Sequence, residues 1–248
     1  GIALDAYHFA DTGSFNPSAS SREGIFIGGS FAGPMNIPTA VAQASSAAAE
    51  ASRALVSVKN TLTREKQYPA ERNVAGQEPR IGVFVCSCDV NIANTIDVAA
   101  VVDYAKSLPN VVFAENNMFS CSTDTQNMMA KTIEEQALNR VVIAACSPRT
   151  HEPLFQDTLK EVGLNAYLVE MANIRNQNAW VHQQEPARAT RKARDQVRMA
   201  VAKVRLADPL QRQPVDVIQK ALVVGGGLAG INAALGLADQ GFETVLVE

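Results

Sequence analysis

The sequence predicts an α/β fold, a parallel Rossmann-like sheet with flanking helices and a strand–glycine–helix element toward each end of the chain. Three observations carry this. Short apolar runs alternate with segments of helical period from Arg80 onward, all four cysteines fall at or just beyond the ends of those runs, and glycines link an apolar run to a helix around both Gly28 and Gly225.

Residues 1–23 mix Gly, Ser, Asn and Pro without a period and read as loop, with at most a short strand near Gly1–Tyr7. Gly24–Gly29 (GIFIGG) reads as a short apolar strand, Ser30–Pro38 as a turn-rich connection, and Thr39–Val58 as an Ala-rich helix. Pro38 suits the first turn of that helix, where no backbone N–H is needed. A strand running through glycines into a helix N-terminus suits a phosphate, but on these residues alone tight strand–helix packing explains the pattern. Lys59–Gln77 is polar and patternless and reads as an exposed linker.

A regular alternation follows. Arg80–Val85, Val111–Ala114, Arg140–Ala145 and Ala166–Glu170 have the composition of buried strands, and Thr95–Leu108, Asp124–Leu138 and Pro153–Val162 have a helical period between them. Gly163 and Asn165 supply the stop after the third helix. Right-handed crossovers then place helices on both faces of one parallel sheet. Asn173–Trp180 is polar, and Glu185–Leu206 is a long basic helix with Ala187, Ala193, Val197, Ala200, Val201 and Val204 on its apolar side. Pro209 and Pro214 mark a second linker. Lys220–Gly225, a helix over Ala229–Gln240 and Thr244–Glu248 form one βαβ unit.

Apolar content of 47% with 19% charge is that of a globular protein with a sizeable core. The net charge of −3 gives no reason to expect nucleic acid or an anionic membrane as a partner. No apolar run approaches the roughly 18 residues needed to span a bilayer, so a cytoplasmic, reducing location is expected, in which cysteines serve as metal ligands or redox groups more than as structural disulfides. The sequence begins at Gly1 without an initiator Met and stops at Glu248 directly after an expected strand, so it reads as a piece of a longer protein.

In a parallel sheet every strand's C-terminal end emerges on one edge. Cys86 ends the first strand, Cys88 lies just beyond, Cys121 follows the second and Cys146 follows the third, so all four are expected at one rim. Four thiolates suit a tetrahedral zinc site or a [4Fe–4S] cluster with one thiolate per iron. The competing readings are four small buried residues, zinc, and a redox pair; the first pair is CxC, which departs from zinc CxxC knuckles and strains a disulfide. The cluster accounts best for all four thiols on one edge. Asn91, Ser122, Ser147 and Asn173 on the same rim are expected donors to sulfur, while Arg149 and His151 could ligate, carry a proton or contact a partner. For His151, His8 and His182 plain solvation is the simpler account. No catalytic residue is assigned.

Gly225, Gly227 and Gly230 follow a strand and open a helix, and Glu248 ends the next strand about 20 residues on. Here the first glycine permits the turn, the second admits a pyrophosphate and the third allows close packing, which is the fingerprint of a dinucleotide site without separating FAD from NAD.

Four stretches together resemble the flavin-containing A subunit of heterodisulfide reductase: RIGVFVCSCDVNIANTIDVAAVVDYAKSLPNVVFAENNMFSCS, NRVVIAACSPRTHEP, EMANIRNQNAWVH and KALVVGGGLAGINAALGLADQGFETVLVE. That resemblance implies an electron-transfer subunit that passes electrons between FAD and [4Fe–4S] clusters, in some members by flavin-based bifurcation. It implies Cys86, Cys88, Cys121 and Cys146 as cluster ligands, and Gly225, Gly227, Gly230 and Glu248 as FAD contacts in the complete protein. Partners are then the other subunits of such a complex, with a hydrogenase or dehydrogenase and ferredoxin as electron partners. Where the family usually has glycine after the second cysteine, this chain has Asp89.

GIFIGGSFAGPMNIPTAVAQASSAAAEA further resembles the last strand and helix of the same family's FAD domain, which brings Gly28, Gly29, Asn36 and Ile37 in as flavin-facing residues. The chain is thus expected to span the junction of two tandem copies. Its divisions are then 1–58, the tail of an FAD-binding domain; 59–79, linker; 80–206, the iron-sulfur domain; 207–219, linker; and 220–248, the first βαβ of an FAD/NAD(P)-binding domain. Gly24–Gly29 is expected to pair with Ala221–Val224, giving partial FAD-binding elements at both ends. Such a fragment alone is expected to lack turnover. The alternatives are a zinc-stabilised nucleotide-binding module and a non-catalytic scaffold subunit.

Overall fold

A computed structural model describes residues 1–248, in two compact units: Lys66–Gln213, and Gly1–Glu65 together with Pro214–Glu248. No helix is long and apolar enough to cross a membrane.

In the Gly1–Glu65 segment the first regular element is α1, Ile37–Ala54, preceded by a short 3-10 turn at Gly29–Ala32. Asn36 caps α1, its Oδ1 accepting from the Thr39 N–H at 2.9 Å, and Pro38 sits in the first turn as its missing N–H allows. The expected strand at Gly24–Gly29 does not form, because Gly24 and Gly29 both have positive φ and the run makes only a single bridge, between Phe26 and Ala19. Nor is there a strand near Gly1–Tyr7, where one bridge joins Leu4 to Ala10.

The larger unit is built from β1 (Ile81–Cys86), α2 (Val98–Lys106), β2 (Val111–Asn117), α3 (Thr123–Glu135), β3 (Arg140–Ala145), α4 (Pro148–Glu161), β4 (Val169–Asn173) and α5 (Pro186–Arg205). Its four strands are all parallel, in the order β2-β1-β3-β4. β1 and β3 are buried along their whole length, as strands covered on both faces must be. Helices α2 and α5 cover one face and α3 and α4 the other. The chain runs from β1 outward to β2 and later from β3 outward to β4, so the connections diverge between β1 and β3. In such sheets that divergence opens a crevice at the C-terminal strand ends.

This unit also holds much of the sequence expected to be linker. From Lys66 the chain lies as a strap along the body: Val74 is buried, the Arg72 N–H donates to the Gly163 carbonyl at 2.7 Å, and Asn165 Nδ2 donates to both Glu71 carboxylate oxygens. Lys66 pairs with Asp157 at 2.7 Å and with Glu161, Tyr68 donates to Asp157, and the Lys160 ammonium lies 4.1 Å from the centre of the Tyr68 ring. On the far side, Asn165 Nδ2 also donates to the Leu210 carbonyl at 3.0 Å.

The other unit contains β5 (Lys220–Val224), α6 (Leu228–Asp239) and β6 (Glu243–Val247). β5 pairs in parallel with β6 and with nothing else, which overturns the expected pairing of Gly24–Gly29 with Ala221–Val224. Within this unit the two segments meet through helices instead: α1 packs on α6, and Arg53 pairs with Asp239 at 3.1 Å.

Candidate metal centre

All four thiols are free. Cys86 closes β1, directly beside the divergence of the connections, and Cys146 follows β3 on the other side of it. Cys121 lies in the loop after β2, immediately before Ser122, the cap of α3, and Cys146 immediately precedes Ser147, the cap of α4. Two helix N-termini therefore stand at this rim, a favourable setting for thiolate charge. Cys88 is reached through a left-handed turn, with φ of 41° at Cys88 and 46° at Asp89. That is the region glycine enters freely, so Asp89 occupies a conformation that a glycine at this place would adopt without strain.

Donors to sulfur come from residues that the sequence did not mark. The Ser120 backbone N–H donates to Cys86 Sγ at 3.4 Å, and the Ser120 hydroxyl is buried beside it without a partner. Behind Ser120, the Thr158 hydroxyl donates to Gln126 Oε1 and Gln126 Nε2 donates to the Ser120 carbonyl, all three residues being buried. On the other side, Arg175 Nη1 lies 3.9 Å from Cys88 Sγ. Arg175 opens a π-helical turn directly after β4, a feature that recurs at functional sites.

Of the expected donors, only the Ser122 hydroxyl is given to another group, donating to Thr125 Oγ1 at 2.9 Å. Asn91 Oδ1 accepts from Trp180 Nε1 at 3.3 Å, Ser122 Oγ caps the Thr125 N–H at 3.3 Å, and Asn173 Oδ1 accepts from the Asn176 N–H at 2.9 Å. Ser147 caps α4 without a side-chain bond. Arg149 is exposed in the first turn of α4, where His151 is half-buried.

Burial pushes the Cys86 thiol above its ordinary range, against the Ser120 N–H, with Cys88 adding to the rise. The Cys146 thiol is likewise raised by burial, opposed by Arg175 and reinforced by Cys121 and Cys86. Left protonated, these are weak ligands. Binding a metal group ionises them, and the N–H groups and the guanidinium are already placed to receive that charge.

No three His, Cys, Asp or Glu side chains close on the distance of a single ion. A four-iron cluster takes one thiolate at each iron and so holds its ligands farther apart than one tetrahedral ion does. Four free thiols on one rim, with an N–H and a guanidinium at sulfur, fit such a cluster as the donor set.

At the glycine loop, Gly225 has φ of 110°, and a Cβ at Gly230 would collide with the Gly225 carbonyl oxygen. Gly227 caps α6 and faces open space, and the Glu248 carboxylate accepts from the Gly226 N–H. These are the turn, the open approach and the close packing that a pyrophosphate needs. Gly28 packs on α1 near Ala44 and Ala47, the Gly29 N–H donates to Gln43 Oε1 at 3.0 Å, Asn36 is engaged as the cap of α1, and Ile37 is exposed. A cavity of about 800 Å³ lies between the end of α1 and Phe242 and is lined by none of the residues expected in either site.

No family model matches the chain. Over 175 residues, 71% of this chain, it is 57% identical to an iron-sulfur A subunit, the one numbered 2, of the CoB–CoM heterodisulfide reductase of Methanopyrus kandleri. The proteins it matches are A subunits of heterodisulfide reductase. Over 178 residues it is 55% identical to the A subunit of the H(2):CoB-CoM heterodisulfide,ferredoxin reductase of Methanothermobacter marburgensis. Over 175 residues it is 48% identical to a protein of Archaeoglobus profundus named as like the heterodisulfide reductase A subunit. The matches cover 27%, 27% and 25% of these three proteins, so the chain spans about a quarter of the length of these relatives.

Proposed function

We propose that this chain is an electron-transfer segment of a heterodisulfide-reductase-like oxidoreductase, with Cys86, Cys88, Cys121 and Cys146 holding a [4Fe–4S] cluster. The observation that carries the reading is the convergence of four free thiols at one sheet edge with an N–H and a guanidinium directed at their sulfurs. The name of the Methanopyrus relative, which includes iron-sulfur, supports it. A cluster bound there supplies a one-electron store. The protein's part is to ionise four cysteines, to hold Cys86 and Cys146 out of water, and to leave Cys121 exposed on the side from which a redox partner approaches.

The same reading gives Gly225, Gly227, Gly230 and Glu248 the opening of an FAD site in the complete protein. Gly225 and Gly227 leave the backbone open to the pyrophosphate, and Glu248 takes the ribose hydroxyls in place of its present partner, the Gly226 N–H. Gly28, Gly29, Asn36 and Ile37 belong to the tail of such a domain, where Asn36 acts first as a helix cap. Electrons then move between flavin and cluster, and bifurcation is the fuller form of that exchange. Partners are the other subunits of the complex, with ferredoxin and a hydrogenase or dehydrogenase as exchange partners; relatives carry ferredoxin in their names. A reducing cytoplasm keeps the four thiols free.

Anaerobic reconstitution with iron and sulfide, followed by visible absorption and metal analysis, tests this. Broad visible absorption with iron, lost in Cys146→Ser, is the expected outcome. Stoichiometric zinc without visible absorption marks the zinc-stabilised module, and a chain that retains neither metal marks the non-catalytic scaffold.

A further inference from the structure

Arg175 is half-buried at the cysteine rim, and no carboxylate lies within ion-pair distance of it, although other arginines nearby are paired: Arg188 with Glu185 at 3.2 Å and Arg198 with Asp195 at 3.1 Å. Its charge is held in place by packing. The guanidinium lies 4.9 Å from the centre of the Trp180 ring, Nε donates to Asn176 Oδ1 at 3.3 Å, and Trp180 is tied to Asn91, three residues beyond Cys88, at 3.3 Å. Nη1 is left to face Cys88 Sγ at 3.9 Å. An unpaired cation fixed against a ring and aimed at a thiol is arranged for an anion that the thiol belongs to.

We propose that Arg175 raises the reduction potential of the group held by the four cysteines, and that Trp180 is the positioning residue that keeps its charge at Cys88. The inference rests on the reading given under the proposed function. When one electron enters from an external donor, the thiolate-ligated group gains one negative charge and no bond is made or broken. A fixed cation favours that reduced state over the oxidised one, and partial burial leaves the interaction less screened than at the surface.

The test is a potentiometric titration followed by EPR on the anaerobically reconstituted 248-residue chain, with dithionite as reductant, after iron and sulfide have been measured in each sample. In Arg175→Gln the midpoint is expected to fall by the equivalent of at least a tenfold change in the oxidised-to-reduced ratio, about 59 mV for a one-electron couple. Arg175→Lys restores most of it, and Trp180→Leu, which keeps both the charge and the ligands, gives a smaller fall. An Arg175→Gln protein with full iron and an unmoved midpoint overturns the inference, as does Arg175→Lys falling as far as Arg175→Gln. If Arg175→Gln does not load iron, an unmoved midpoint in Trp180→Leu overturns it. A wild-type chain that takes up no iron overturns the underlying reading and this inference with it, and the iron assay separates that result from the others.

Discussion

The Ser120 N–H points at Cys86 Sγ across 3.4 Å, and it does so because the Ser120 carbonyl is held from behind by Gln126. A loop residue is thereby held from two helices, Gln126 coming from α3 and its partner Thr158 from α4.

Gln126→Ala therefore leaves the buried Ser120 carbonyl without a partner, while the Thr158 hydroxyl keeps its bond to the Leu154 carbonyl at 3.1 Å. The expected loss of stability is about 1–3 kcal/mol, seen as a lower midpoint of urea unfolding. Unchanged unfolding would mean that the chain from Thr158 to Ser120 has no energetic weight.

At Asp89 the backbone has φ of 46°. Asp89→Val, β-branched in the left-handed region, is expected to lose about 1–2 kcal/mol, whereas Asp89→Gly holds or slightly raises the melting temperature. The order Gly, Asp, Val in thermal denaturation is the check, and Val melting with Asp would contradict it.

The strap gives a pH-dependent term. Burial alone would push the Asp157 carboxyl up, but hydrogen bonds from Lys66, Tyr68 and Lys160 outweigh it and hold the group well below its ordinary 3.8. A depressed folded value means that the contribution is present above the unfolded value and is lost as the pH falls below it toward the folded one. Asp157→Asn should therefore lower stability at neutral pH, by no more than about 1 kcal/mol given the exposure of the partners. The gap to wild type should begin to narrow as the pH falls below about 3.8 and go on narrowing toward the lower folded value. A gap that stays constant from neutral to acid pH would contradict this.

Two glycines of α6 should respond in opposite senses. Gly230→Ala drives a Cβ into the Gly225 carbonyl, while Gly236 has nothing within 4 Å of its Cβ position. Gly236→Ala is expected to stabilise the helix by up to about 1 kcal/mol, and Gly230→Ala to destabilise by about 1–3 kcal/mol. Limited proteolysis within 214–248 reads the difference, as slower cleavage in the first and faster cleavage in the second.

The sheet, and the edge on which the cysteines lie, were legible because both follow from short-range pattern: βα alternation sets a parallel sheet, and a parallel sheet places Cys86, Cys121 and Cys146 on one edge whatever the details. GIFIGG misled because an apolar run marks a strand only where a partner exists, and here glycines with positive φ turn the chain instead. The strap was read as linker because what fixes it is distant in sequence: Lys66 meets Asp157 91 residues away. Arg175 and Gln126 went unmarked for the same reason, since an arginine in a polar segment and a glutamine in a helix acquire a role only when the fold sets them against Cys88 and Ser120. Ser122 shows how a local role precedes an expected one, since its hydroxyl caps α3 at the Thr125 N–H and donates to Thr125 Oγ1.

The iron and acid-labile sulfide content of the anaerobically reconstituted chain, measured with EPR after reduction, tests the four-cysteine cluster most directly. About four irons and four sulfides per chain, with a reduced-state signal that disappears in Cys146→Ser, is the predicted result. Less than one iron per chain, or a signal indifferent to Cys146, would contradict it.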